Sequence, residues 1–313
     1  MVFFHSITDL VLNAKVEKMI GIVRRKLKKI LTIWIGCAVM AFLAGPFFFS
    51  GFSFAGIILQ EGRGKISRLS NKLKRHALVI GINNYGKFKL QSAIRDSTAM
   101  TQLLSGLGFM VVHLKNPSRT ELIAGTRNFG NDLKKSKGVG VFYFAGYGYM
   151  TRGKMFLVPV RVNIAERFKT KNIERLNKDS VALDFVTNTI SKAKNPGNFI
   201  FLDSDYQYWG AKNNKTLLPP QPAPPNILIS YSAQPGGIGS ENSEHGEFTG
   251  HLLKLLGNQK AEIKHTLNQV RKRVHDSTKG AQLPWFSSGL DKEFYFAQKP
   301  KKGIGKTPGG SFR

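Results

Sequence analysis

The chain is almost without cysteine. Among its 313 residues there is one, Cys37, in the middle of an apolar run. A lone thiol excludes an intrachain disulfide, and outside that run no sulfur nucleophile or thiolate metal ligand exists. Acidic residues are scarce as well: 19 Asp plus Glu against 47 Lys plus Arg leave a net charge of +28. That balance implies attraction to polyanions such as nucleic acid, anionic lipid or surface glycans, without identifying one. No nucleic-acid-binding motif accompanies it, and a solvated basic surface accounts for the charge equally well. No calcium-type ligand loop is present, so the few acids do not read as a metal site. The sequence implies neither a metal nor a cofactor.

Charge itself is missing from Ile30 to Leu59, where polar content is limited to Thr32, Ser50 and Ser53. This stretch exceeds the roughly 20 residues a helix needs to cross a bilayer. It is also longer than the apolar region of about 7–15 residues in a cleavable signal peptide. Residues 30–59 therefore read as a transmembrane anchor or signal-anchor, with cleavage near Ala41 and Ala44 as the alternative. The basic cluster Arg24, Arg25, Lys26, Lys28 and Lys29 favours a cytoplasmic N-terminus, although Arg63, Lys65 and Arg68 follow the run. The expectation is a single-pass membrane protein with its globular domain outside the cytoplasm. Residues 1–29, mixing Phe3, Phe4, Leu10 and Ile20 with lysine and arginine, suit a basic amphipathic helix on inner-membrane lipid. A polar linker follows at 60–75, a globular domain at 76–297, and a basic tail at 298–313 expected to be disordered.

Within the globular part, strand-like and helix-like segments alternate. His76–Ile82, Phe109–Leu114, Val139–Ala145, Asn198–Asp203 and Asn226–Tyr231 are short apolar runs of the kind that form buried parallel strands. Met155–Val160 is β-prone, with Pro159 placing it at an edge or turn. Apolar spacing predicts helices over 92–107, near 247–257 and over 260–276. Ser118-Arg119-Thr120-Glu121 matches a capping box opening a helix toward Lys135. Ser180 is read as the cap of a helix carrying Val181, Phe185, Val186 and Ile190, and Phe294–Phe296 as the last strand. The Pro-rich stretch Leu217–Pro225 is irregular and expected to cover the sheet edge. The pattern is α/β, a mostly parallel central sheet flanked by helices in three layers. Ligands of such sheets gather beyond the carboxyl ends of the strands, and Tyr147 and Asp205 both fall just past such ends.

The segments at those two ends are Phe144-Ala145-Gly146-Tyr147-Gly148 and Leu202-Asp203-Ser204-Asp205-Tyr206. They resemble the catalytic motifs Tyr-Ala-Gly-His-Gly and Leu-Asp-Ala-Cys-Arg of the caspase-like cysteine peptidases. That family, peptidase C14, includes the caspase p20 domain, metacaspases and paracaspases, with bacterial metacaspase-like and paracaspase-like members. Arg75-His76-Ala77-Leu78-Val79-Ile80-Gly81 with Asn84-Tyr85 is similar to the family's first strand and loop. Arg95-Asp96-Ser97 resembles the opening of its first helix, and Gly108-Phe109 leads into its second strand. Leu157-Val158-Pro159 and Gln282-Leu283-Pro284-Trp285 match later elements in the expected order.

The resemblance implies the caspase–hemoglobinase fold, and it puts Tyr147 at the family's histidine position and Asp205 at its cysteine position. Backbone amides at Gly148 would form the oxyanion site. Carboxylates at Asp96 and Asp203 would line the pocket for an Arg or Lys side chain, with Asp205 and Tyr147 beside them. A thiol is partly ionised near neutral pH and intrinsically nucleophilic, whereas a carboxylate attacks an amide poorly. A tyrosine hydroxyl, with an unperturbed pKa of about 10, is no general base without a large shift. No catalytic residue is therefore assigned. The expected function is that of a membrane-anchored, inactive pseudopeptidase binding a peptide or protein partner that offers a basic residue. Two alternatives stay open. One is a hydrolase with a substituted mechanism, coupling Ser204 to His245, although His245 reads more simply as a solvated loop histidine. The other is a non-specific polyanion-binding surface.

Overall fold

The computed structural model describes residues 73–296 except positions 87, 163, 165–171, 205–206, 209–221, 238, 240–243 and 258–260. The expected anchor, the amphipathic segment, the tail and most of the linker lie outside the described residues, as does Asp205. The chain divides into two units, Met1–Gly64 and Lys65–Arg313, and the described residues all belong to the second.

The apolar runs form the core of the sheet because strands buried on both faces need apolar side chains at every position. In β1 (Arg75–Gly81), Ala77 to Ile80 are at most 1% exposed. Two short strands, β2 (Asn84–Tyr85) and β3 (Phe88–Lys89), form a small hairpin before helix α1 (Ala93–Gly106). Strand β4 (Met110–Lys115) then leads to α2 (Arg119–Ser136). The capping box opens α2 as its residues require: Glu121 N–H donates to Ser118 Oγ at 3.3 Å, and Ser118 N–H donates to Glu121 Oε2 at 2.7 Å. Lys137 closes the helix in the left-handed region at φ 50°.

Strand β5 (Val139–Ala145) feeds a hairpin of β6 (Gly148–Thr151) and β7 (Lys154–Leu157). Its two-residue turn, Arg152-Gly153, has positive φ at both positions, the backbone that suits hairpin twist. After α3 (Ile173–Asp179) and β8 (Val181–Ala182) come α4 (Leu183–Ser191) and β9 (Gly197–Asp203). The remaining described elements are β10 (Gln207–Tyr208), β11 (Ile227–Tyr231), α5 (Glu247–Leu256), α6 (Ile263–Ser277) and β12 (Trp285–Ser288).

The main sheet has the order β12-β11-β9-β5-β1-β4, parallel throughout except for β12 at its edge. Successive side chains point to opposite faces. Leu78, Ile80, Phe142, Phe144, Ile200 and Leu202 therefore face α2 and α4, meeting Leu122, Phe129, Val186 and Ile190. Val79, Val141, Tyr143, Phe199 and Phe201 face α1, α5 and α6, meeting Met100, Leu104, Phe248, Leu267 and Val270. These are the three layers expected of the sequence. Each fully buried phenylalanine contributes about 1.5–3 kcal/mol relative to exposure, offset by ordering entropy.

Two expectations are corrected. Ser180 does not cap the helix ahead of Phe185. It ends α3, while Val181 enters β8 and Ala182 takes the N-cap of α4 without a side-chain bond. Phe294–Phe296 is not a strand either. The edge beside β11 is taken by β12, which pairs antiparallel from Tyr231↔Trp285 to Leu228↔Ser288. Phe294 and Phe296 instead insert into the core, each 2% exposed, with rings 5.0 Å apart and nearly perpendicular. The described end of the Pro-rich stretch follows β12, where Ala223 N–H donates to Ser287 Oγ at 2.9 Å. Among the described residues no helix is long and apolar enough to cross a membrane.

Candidate functional site

Register brings the two motifs together. Gly81 pairs with Ala145 and Ala145 with Asp203, so β1, β5 and β9 end level with one another. Past that level the chains are still joined: Ile82 N–H donates to Ala145 O at 2.9 Å and Gly146 N–H to Asp203 O at 3.2 Å. Positions 147 and 204 thus leave the sheet as neighbours.

The first motif's loop is held by a buried tyrosine. Tyr85 Oη accepts the Tyr147 N–H at 2.9 Å and donates to Val158 O at 3.1 Å, while Val158 N–H donates to Tyr147 O at 3.0 Å. The Tyr147 ring lies edge-on to Tyr85 with centroids 4.8 Å apart. Burial pushes the Tyr85 hydroxyl far above the usual phenol range, which keeps it protonated and able to donate. The glycines on either side lie where neighbouring side chains approach closely. A Cβ at Gly146 would lie 2.6 Å from Tyr85 Oη, and one at Gly148 would lie 2.9 Å from Ser204 Oγ and 2.5 Å from Met155 Cε. Gly148 begins β6, opposite Leu157.

Ser204 turns in beneath Gly148. It is 5% exposed, and its hydroxyl has no hydrogen-bond partner among the described residues. Its backbone is clasped by Ser232, whose Oγ accepts the Ser204 N–H at 3.2 Å and donates to Ser204 O at 3.0 Å.

The acids meet at the same end of the sheet. Asp96 stands in the first turn of α1, which packs so tightly on β1 that a Cβ at Gly81 would lie 2.7 Å from Ala93 O. Asp203 is the last residue of β9. Both flank Gly246, the N-cap of α5, where a Cβ would sit 3.1 Å from Asp203 Oδ2 and 3.4 Å from Asp96 Oδ2. Each carboxylate has a partner from α5 or the loop before it. Asp96 Oδ1 is bonded to His245 Nδ1 at 2.6 Å, and Asp96 Oδ2 accepts the Gly246 N–H at 3.2 Å. Thr249 Oγ1 donates to Asp203 Oδ2 at 2.5 Å, leaving Thr249 to accept from the Tyr143 hydroxyl at 2.6 Å. Desolvation raises the Asp96 carboxyl above the ordinary value, opposed by its bonds to His245, Gly246 and Ser92. The Tyr143 hydroxyl is driven up by burial and by the charges of Asp203 and Asp96.

His245 is therefore not a solvated loop histidine: its Nδ1 is hydrogen-bonded to a carboxylate that is 1% exposed. Nor does the structure join it to Ser204. Thr249 is a further member of this site that residue-by-residue reading missed; Tyr143 and Tyr85 join it through their hydroxyls, Tyr85 having been matched only as part of the first loop. The segment His245-Gly246-Glu247-Phe248-Thr249 carried a signal, a small residue at a helix start with a hydroxyl three positions on. Tyr149, the second residue of β6, is buried and stacked on Phe156 with centroids 5.2 Å apart. Among the described residues no group of three His, Cys, Asp or Glu is placed to hold a metal ion. A separate cavity of about 250 Å³ opens between β7, α4 and β11, lined by Met155, Asp184, Asn188, Pro224 and Tyr231. It is lined by none of Tyr147, Asp96 and Asp203.

Comparison with known proteins agrees with this architecture. The sequence is 26% identical over 224 residues to the human mucosa-associated lymphoid tissue lymphoma translocation protein 1, and equally to its homologue from Mus musculus. Each match takes in 69% of this chain and 26% of the relative, so the chain spans about a quarter of the length of these curated relatives. The family model of the peptidase C14 caspase domain matches residues 74–295, most of the chain and nearly all of the described fold. This chain belongs to the caspase domain family.

Proposed function

We propose that this protein is a membrane-tethered caspase-fold module without peptidase chemistry, acting by binding a peptide or protein partner. One observation carries the reading: across residues 74–295, the span of the caspase domain, there is no cysteine. The motif positions where the family resemblance puts histidine and cysteine hold Tyr147 and Asp205. Removing members of a catalytic unit typically costs several orders of magnitude in rate. Ser204 is a poor replacement nucleophile, since its hydroxyl is buried and lacks a base among the described residues. The adjoining carboxylates of Asp96 and Asp203 suit a basic side chain of the partner, because paired acids are stabilised by a cation among them. The uncharged run 30–59 supplies the tether, with the caspase domain outside the cytoplasm and residues 1–29 on inner-membrane lipid.

The test is an assay of the full-length protein in detergent micelles against fluorogenic peptides ending in Arg or Lys. The expected result is no turnover above buffer, unchanged in Ser204→Ala. Turnover that disappears in Ser204→Ala would instead establish a hydrolase with a substituted mechanism.

A further inference from the structure

The acidic pair is filled from within the protein. His245 and Gly246, directly before α5, form a turn seated between the two carboxylates. The imidazole meets one oxygen of Asp96 and the Gly246 amide meets the other, at 2.6 and 3.2 Å. Asp96 is 1% exposed and the His245 side chain 25%, so the imidazole is the accessible member of the pair. Two N–H donors from one side onto the two oxygens of a carboxylate is also the arrangement that an arginine guanidinium makes. Here the protein supplies both donors itself.

We propose that the His245-Gly246 turn is a built-in plug. His245 occupies Asp96 as an internal substitute for the partner's guanidinium, and a basic side chain gains the carboxylate only by displacing it. The inference rests on the reading of Asp96 and Asp203 as a basic-residue pocket and adds what controls entry. A ligand has to break the bonds of His245 and Gly246 to Asp96 before it makes its own, so the plugged site binds weakly. Removing the imidazole leaves Asp96 buried and short of a partner, a state that a guanidinium relieves.

The experiment measures binding of an acetylated tetrapeptide amide containing one arginine, and of its citrulline counterpart, to the full-length protein in micelles by fluorescence anisotropy. His245→Ala is expected to bind the arginine peptide at least tenfold more tightly than the unsubstituted protein, with citrulline binding unchanged. His245→Gln retains an N–H donor on a side chain without the ring. It should fall between the two, and it serves where the alanine variant does not fold. Arginine binding no tighter in either variant overturns the plug. If all three proteins bind the arginine peptide alike and Asp203→Asn abolishes it, the pocket stands and the plug alone fails. If none distinguishes arginine from citrulline, the pocket reading falls and the plug with it.

Discussion

Asp96 shows how one side chain's environment becomes a measurable property. Its carboxyl is held above the ordinary value of 3.8 by desolvation, so the folded state keeps the Asp96 proton to higher pH than the unfolded chain does. Where the folded state binds more protons, stability falls as pH rises. The Asp96 contribution to stability should therefore decline from about pH 3.8 upward, through its raised value, and level off above it. Chemical denaturation of the unsubstituted protein and of Asp96→Asn across this range checks the sign. The difference in unfolding free energy, unsubstituted minus variant, is expected to shrink with rising pH, and a difference that grows contradicts it. Glu121 and Asp276, both shifted downward, pull the other way, but they do so in both proteins and cancel. At this scale the sequence was legible where chemistry is local. Tyr147, Asp203 and the glycines around Tyr147 are recognisable from the runs that precede them. His245 was not, because its partner Asp96 is 149 positions away and only the folded chain brings α5 beside α1.

Elements were readable wherever apolar continuity or a cap identified them. Strands β1, β5, β9 and β11 announce themselves as unbroken apolar runs, and α2 through its capping box. What escaped was decided by competition between segments. Trp285–Ser288 and Phe294–Phe296 are both plausible strands, and only one edge was on offer beside β11. The winner gained the stack of Trp285 on Tyr231, with centroids 4.3 Å apart. The loser is held by side chains instead. Arg75 Nη1 donates to Phe296 O at 2.6 Å and to Leu107 O at 3.0 Å, and the guanidinium lies over the rings of Phe109 and Phe294. Ile263 N–H adds a bond to Phe294 O at 2.9 Å. Arg75 thus ties the start of β1 to the end of α1 and to the terminal phenylalanines. Arg75→Met, which keeps much of the apolar stem, is expected to cost about 2–3 kcal/mol through the lost charge-assisted bonds. Hydrogen exchange should then show faster amide exchange over residues 293–296 while β5 and β9 keep their protection. Unaltered exchange at 293–296 would mean that the phenylalanines suffice.

For the whole molecule, the excess of positive charge and the acidic pair make opposite demands on a ligand, and the two can be separated. Diffuse attraction to a polyanion is screened by salt, whereas a buried carboxylate pairing with a basic side chain is screened far less. Heparin retention of the full-length protein should be lost steeply between about 50 and 200 mM salt, with Asp96→Asn eluting at the same point. Retention that survives higher salt would point to a built anion site.

The parallel sheet also gives the domain two unlike poles. Both ends of the described chain lie at the amino pole. Lys74 O accepts the N–H of Val139, the first residue of β5, and Phe296 is bonded to Arg75 and stacked on Phe109, just ahead of β4. The seven residues of β1 separate that pole from Tyr147 and the acidic pair by roughly 20 Å. A label attached at position 73 or 296, the two ends of the described residues, therefore sits at the pole away from the candidate site. A domain immobilised through such a label would turn the candidate site away from its support.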